Sequence, residues 1–116
     1  MRAALAALMI AGCVTMPDAA PETYRALGTE PFWSITIENG RMTYSTPDGG
    51  FFVPAPRGRE LGDGRLWETG RMRLQASNRE CSDGMSDRRY SQTVRAVVDG
   101  RTLSGCGGAV TEPAQN

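Results

Sequence analysis

The sequence predicts an all-β domain: a small antiparallel meander, or partly open β-barrel, of about seven short strands. Three observations predict it. Apolar and polar residues alternate with a period of two along several segments, Gly-rich breaks recur every few residues, and three similar turns fall at even spacing. The turns are Glu38-Asn39-Gly40-Arg41, Glu68-Thr69-Gly70-Arg71 and Val98-Asp99-Gly100-Arg101, with their glycines 30 residues apart. Asn-Gly and Asp-Gly favour tight hairpins because both central positions need positive φ. Glu38 is expected to face Arg41, and Glu68 to face Arg71, across the strand ends. The residues between the turns do not repeat, so the spacing describes a meander and not a solenoid.

The elements follow in order. Trp33, Ile35 and Ile37 fall on one face of the first expected strand, opposite Phe32, Ser34, Thr36 and Glu38. Met42 and Tyr44 oppose Thr43 and Ser45. Short strands are expected near 51–53 and 65–68, separated by Pro54-Ala55-Pro56 and the rest of a loop or edge at 54–60. Met72, Leu74 and Ala76 oppose Arg71, Arg73, Gln75 and Ser77; Val94, Ala96 and Val98 oppose Thr93, Arg95 and Val97. A last strand is expected at 102–106. Closure of these strands on themselves would remove exposed edges.

The 116 residues suffice for one small domain with a thin core. Thirteen basic residues balance thirteen acidic ones, so no basic excess exists to neutralise phosphates, and nucleic acid is not expected as a partner. Every basic residue is arginine. Without histidine the commonest general base and metal ligand is absent, and without lysine so is Schiff-base chemistry. The chain is therefore expected to be no enzyme, with no catalytic residues, no metal and no cofactor.

Met1-Arg2 precedes the apolar run Ala3-Ala4-Leu5-Ala6-Ala7-Leu8-Met9-Ile10. The run is too short for a membrane span of about 20 residues and has the layout of a secretory signal. Its end, Ile10-Ala11-Gly12-Cys13, resembles the bacterial lipobox. That resemblance implies a lipoprotein signal peptide at 1–12, acylation of Cys13 and anchorage in a lipid bilayer. Val14 follows the cysteine in place of an inner-membrane retention aspartate, which favours the outer membrane, facing the periplasm. Residues 13–25, with Pro17 and Pro21, are expected to form the lipidated cysteine and a flexible tether. The domain is then expected over 26–110, with a disordered tail at 111–116.

Assigning Cys13 to lipid leaves Cys81 and Cys106 in an oxidising compartment, where they are expected to form one disulfide. Two free thiols, or a two-cysteine metal site without histidine support, are the alternatives.

Two motifs stand out. Gly28-Thr29-Glu30-Pro31-Phe32-Trp33 opens the first expected strand, with Trp33 either a core anchor or a ligand contact. Cys81-Ser82-Asp83-Gly84-Met85-Ser86-Asp87-Arg88-Arg89-Tyr90 is a loop dense in small polar and charged residues that begins at the expected disulfide. Its glycine and acids do not fit a calcium loop. Its side chains serve either local turns or a partner, and Ser82, Asp83, Ser86, Asp87, Arg88, Arg89 and Tyr90 are the candidate partner-binding residues.

These two motifs together with Leu103-Ser104-Gly105-Cys106 resemble a family of small, uncharacterised bacterial lipoproteins. The resemblance covers roughly residues 26–107 and implies an exported domain with a Cys81–Cys106 bridge. A looser resemblance is to the membrane-bound inhibitors of c-type lysozyme, whose inhibitory loop reads Ser-Gly-x-Arg-Tyr. Here Ser86, Arg89 and Tyr90 keep that spacing, while Asp87 replaces the glycine and no lysine is present for the second inhibitory motif. The expected function is a membrane-anchored, non-enzymatic binding module of the envelope with a protein partner, lysozyme-like in its sharpest form. A barrel for a small apolar ligand and a structural envelope component are the alternatives.

Overall fold

The computed structural model describes residues 22–84 and 88–112. The expected signal peptide, Cys13, nearly all of the expected tether, residues 85–87 and the last four residues lie outside the described residues. Ten strands run through the described chain: β1 (Tyr24–Thr29), β2 (Phe32–Glu38), β3 (Arg41–Thr46), β4 (Gly49–Pro54), β5 (Arg59–Leu61), β6 (Gly64–Glu68), β7 (Met72–Ser77), β8 (Cys81–Ser82), β9 (Arg89–Val98) and β10 (Arg101–Glu112). All pairings are antiparallel, in the order β4-β3-β2-β1-β10-β9-β7-β6-β5, with β8 alongside β9. The fold is the expected all-β meander, curled into a half-barrel. First and last strands meet at β1 and β10, where Ala26 pairs with Gly107 and Leu27 with Cys106.

The strands beyond the expected seven are β1, β5 and β8. Their sequences explain why alternation does not reveal them. In β1 the inward positions are Ala26 and Gly28, whereas the larger Leu27 points outward, so size alternation runs opposite to burial. β5 and β8 are too short to show a period. Strand structure also starts before residue 26, with β1 at Tyr24 and contacts already at Glu22. At the other end β10 runs to Glu112 and takes in the first part of the expected tail. It passes the Gly107-Gly108 pair through a shift in register, with Gly108 at φ 83°.

Two of the three turns form as expected. Asn39 and Gly40 have φ of 52° and 78°, and Asp99 and Gly100 have 48° and 84°, the paired positive values of a tight hairpin. The third differs. Three residues, Thr69 to Arg71, separate β6 from β7, and the Thr69 hydroxyl accepts the Arg71 and Met72 amides at 3.2 and 3.0 Å. The Thr69 amide also donates to the Met72 carbonyl at 2.7 Å, so the turn is shifted one residue along the chain: Glu68 lies opposite Arg73, and Arg71 instead donates to both carboxylate oxygens of Asp99 at 2.9 and 2.8 Å.

The concave face is the core. Ile35, Ile37, Met42, Met72, Leu74, Val94, Ala96, Val98 and Leu103 are buried there with Trp33 and Trp67. Each large apolar side chain so buried contributes about 1.5–3 kcal/mol. Small residues make room for the rings. Gly28 is the cross-strand partner of Trp33, and a Cβ there would lie 2.0 Å from the indole nitrogen. A Cβ at Gly105 would fall 2.0 Å from the Leu27 carbonyl oxygen and 2.9 Å from the Trp33 ring, and one at Gly107 2.5 Å from the Tyr24 hydroxyl. Trp33, only 4% exposed, is thus the core anchor of the first motif.

Following the antiparallel pairings around the sheet, β4 and β5 run in the same direction. Parallel neighbours need a long crossover, and only residues 55–58 join these two. The sheet therefore cannot zip up there. Instead the Pro54-Ala55-Pro56 break is tied down on both sides: the Ala55 amide donates to the Gly40 carbonyl, and the Gly58 amide to Glu22 Oε1 at 3.1 Å. Glu22, just before β1, also accepts Trp67 Nε1–H at 3.1 Å, Arg65 Nε–H at 3.0 Å and a second bond from the same guanidinium. Tyr24 follows it inward, its ring 4.7 Å from that of Trp67 and its hydroxyl donating to Gln92 Oε1 at 2.7 Å. Burial pushes the Tyr24 phenol up to about 12.

Burial works to raise the Glu22 carboxyl, but the bonds from Arg65, Trp67 and Gly58 outweigh it and hold the group below the usual carboxylate range. Its stabilisation is complete above the unfolded value of about 4.3 and is lost as pH falls through the lower folded value. Glu22→Gln should lower stability near pH 7 by about 1–3 kcal/mol. In denaturant titrations the gap from the parent should shrink below about pH 4; a gap independent of pH would show that the charge is not what holds the seam.

Candidate functional site

The loop that follows β7 begins at a fixed point. Along β10, Leu103 faces the core, so Cys106, three positions on, faces the convex side. Cys81 is bonded to it there, with 5.5 Å between the α-carbons, and its Sγ lies 3.4 Å from the Gly105 carbonyl oxygen. The bridge thus lays β8 against the outside of the sheet, and Cys106 beneath it is 1% exposed. Further bonds fasten the same segment. Thr93 Oγ1–H donates to the Arg79 carbonyl at 2.9 Å, and Thr29 Oγ1–H to the Asp83 carbonyl at 3.1 Å. Gly84, at φ 78°, donates its amide to Ser82 Oγ at 3.3 Å, the local turn chemistry that its small polar neighbours suggest.

Between this segment and the outer surface of β1 and β10 lies a cleft of about 330 Å³, lined by Leu27, Thr29, Glu30, Ser82, Asp83 and Ser104 and floored by the disulfide. All three motifs of the sequence meet in it: the Gly28–Trp33 turn through Thr29 and Glu30, the cysteine loop through Ser82 and Asp83, and the Leu103–Cys106 run through Ser104 and the bridge itself. Thr29, Glu30 and Ser104 were not among the expected site residues. They lie within the other two motifs, but only the pairing of β1 with β10 carries those motifs to the loop.

The expected residues divide. Ser82 is exposed on β8 and Asp83 half-buried at its end. Arg88 and Arg89 are exposed, and Arg89 forms an ion pair with Glu80 at 3.6 Å. Tyr90 differs from expectation: at 7% exposure it supports β9 from beneath and offers no contact surface. Ser86 and Asp87 lie outside the described residues. The side chains at the cleft offer hydroxyls and carboxylates, and Arg89, the register partner of Ser82, adds a guanidinium group beside it, a set suited to hydrogen bonding and charge pairing with a partner. Among the described residues, no group of three or more His, Cys, Asp or Glu side chains could hold a metal ion.

In the chain-entropy account, closing the 25-residue separation between Cys81 and Cys106 contributes about 3.5 kcal/mol. Reduction should shift the denaturation midpoint accordingly and loosen the 78–84 segment in hydrogen exchange, with the β2–β3 hairpin less affected. An unchanged midpoint after complete reduction would refute the staple. Comparison with protein-family models, with curated proteins and with solved structures finds no match to this chain, so the case for its role rests on this geometry.

Proposed function

We propose that this chain is a bacterial envelope lipoprotein, anchored in the outer membrane through acylated Cys13 and facing the periplasm. Its β-domain acts as a non-enzymatic binding module for a protein partner. The observation that carries the second part is the meeting of three separate sequence motifs at one cleft, beside a loop fixed by a disulfide. A loop ordered before binding loses less entropy on association. Ser82, Asp83, Arg88 and Arg89 form the contact surface among the described residues.

The likeness to lysozyme inhibitors narrows to the residues that remain accessible. With Tyr90 buried, Arg89 is the described side chain of that motif able to reach an acidic cleft, and it must first exchange its Glu80 partner. The core weighs against a small apolar ligand inside the barrel, because Trp33, Trp67, Met42 and Met72 occupy the concave side.

Two measurements test the reading. In detergent phase separation the full-length protein should enter the detergent phase with an acylated Cys13, and Cys13→Ser should move it to the aqueous phase; an aqueous parent sinks the anchor. Full-length protein in detergent should capture an envelope partner, with c-type lysozyme as the first to assay for inhibition at micromolar concentration. Ser86→Ala/Arg89→Ala should weaken capture about tenfold or more. Equal capture by the double variant would remove the loop from the interface.

A further inference from the structure

A second depression lies on the same convex face, on the other side of β1. Its floor follows a row of register partners crossing the sheet, Leu27 on β1, Ser34 on β2 and Ser45 on β3, a row that continues past the groove to Gly50 on β4. Side chains shrink along this row from leucine to serine to none. The flanking row on the same face is larger: Arg25, Thr36, Thr43 and Phe52. On the other flank stands Phe32, 53% exposed, next to the turn that carries Thr46 and Pro47. The result is a groove of about 370 Å³ that runs across the strands, at the strand spacing of about 4.8 Å per step.

Its chemistry narrows the occupant. Hydroxyls on the floor disfavour a wholly apolar ligand. A peptide strand would need an open sheet edge for backbone pairing, and this groove lies across paired strands, with β1, β2 and β3 each bonded on both sides. Arg25, exposed at one end, makes no ion pair among the described residues. One guanidinium is too little for nucleic acid but enough for single carboxylates. An exposed aromatic ring beside paired hydroxyls suits a ligand with one C–H face and a polar rim.

We propose that this groove binds an acidic glycan strand, with Phe32 against a sugar C–H face, Ser34 and Ser45 bonding ring hydroxyls, and Arg25 holding a carboxylate. The groove adjoins the disulfide cleft and shares Leu27, Gly28 and Thr29 with it, but Arg25 and Phe32 line the groove alone. Variants at these two positions therefore test the groove apart from partner capture by the loop.

Co-sedimentation of the full-length protein, in detergent, tests it with two insoluble probes. Peptidoglycan sacculi carry carboxylates on an amino-sugar backbone, whereas chitin has a similar backbone without them. Phe32→Ser should reduce retention on both probes about tenfold or more, and Arg25→Gln should do so on sacculi only. Both side chains are exposed, so tryptophan fluorescence from Trp33 and Trp67 should stay unchanged and report an intact fold. Failure of the parent to sediment with sacculi overturns the proposal. So does retention on sacculi that either variant leaves unaltered.

Discussion

A sheet that curls without pairing its two ends must close the gap by some other means, and here one carboxylate does so. Glu22 stands before β1, while its donors Gly58, Arg65 and Trp67 belong to the far end of the strand order. Gly58 lies where the backbone ladder is interrupted and the Trp67 indole N–H donates to the same group, while Arg65 brings the opposite charge, so the carboxylate satisfies several groups at once. The ion pair with Arg65 is about a third exposed on each side, which avoids the full desolvation cost of a buried pair. The rest of the core relies on this closure. Tyr24 stacks on Trp67, and Trp67 roofs the concave face, where the Glu22 cluster ties the start of β1 to β6.

Glycine placement is the counterpart of that closure. Trp33, Trp67 and Tyr24 are large for so small a core, and each lies over a position where a side chain has been removed: Gly28 and Gly105 for Trp33, Gly58 for Trp67, Gly107 for Tyr24. The Leu103-Ser104-Gly105-Cys106 run acquires a physical sense from this. Leu103 and Gly105 face inward, one filling space and the other yielding it, while Ser104 and Cys106 face outward to the cleft and the bridge. One twelve-residue strand thus serves both faces of the domain.

Much of the fold was legible in the sequence because period-two burial is a local property. Trp33, Ile35 and Ile37, then Met72, Leu74 and Ala76, then Val94, Ala96 and Val98 all lie inward as their alternation requires. Where burial and size part company the signal fails, as in β1, whose outward Leu27 outweighs its inward Ala26 and Gly28. The turn at Thr69 departs for a related reason: Glu68 and Arg71 suggest the strand ends, but the Thr69 hydroxyl and amide both bond to Met72 and shift the turn by one residue. The candidate site was legible only in pieces. The cysteine loop stood out by composition, yet Thr29, Glu30 and Ser104 reach it through pairing of the first strand with the last, which no local pattern encodes. Tyr90, an aromatic among polar neighbours, reads as a contact in the sequence, whereas its parity with Gln92 and Val94 turns it beneath the strand.

The position of β1 has a mechanical consequence. Eight residues separate Cys13 from Glu22, a reach of about 30 Å when extended. Any tension on that segment enters the domain at β1, which is flanked by β2 on one side and β10 on the other. Pulled lengthwise, both ladders bear the load together in shear, whereas an edge strand would peel away one bond at a time. The Glu22 cluster lies first in line and would take up strain before either ladder does. Under the proposed anchorage, the domain would meet force at an interior strand paired on both sides.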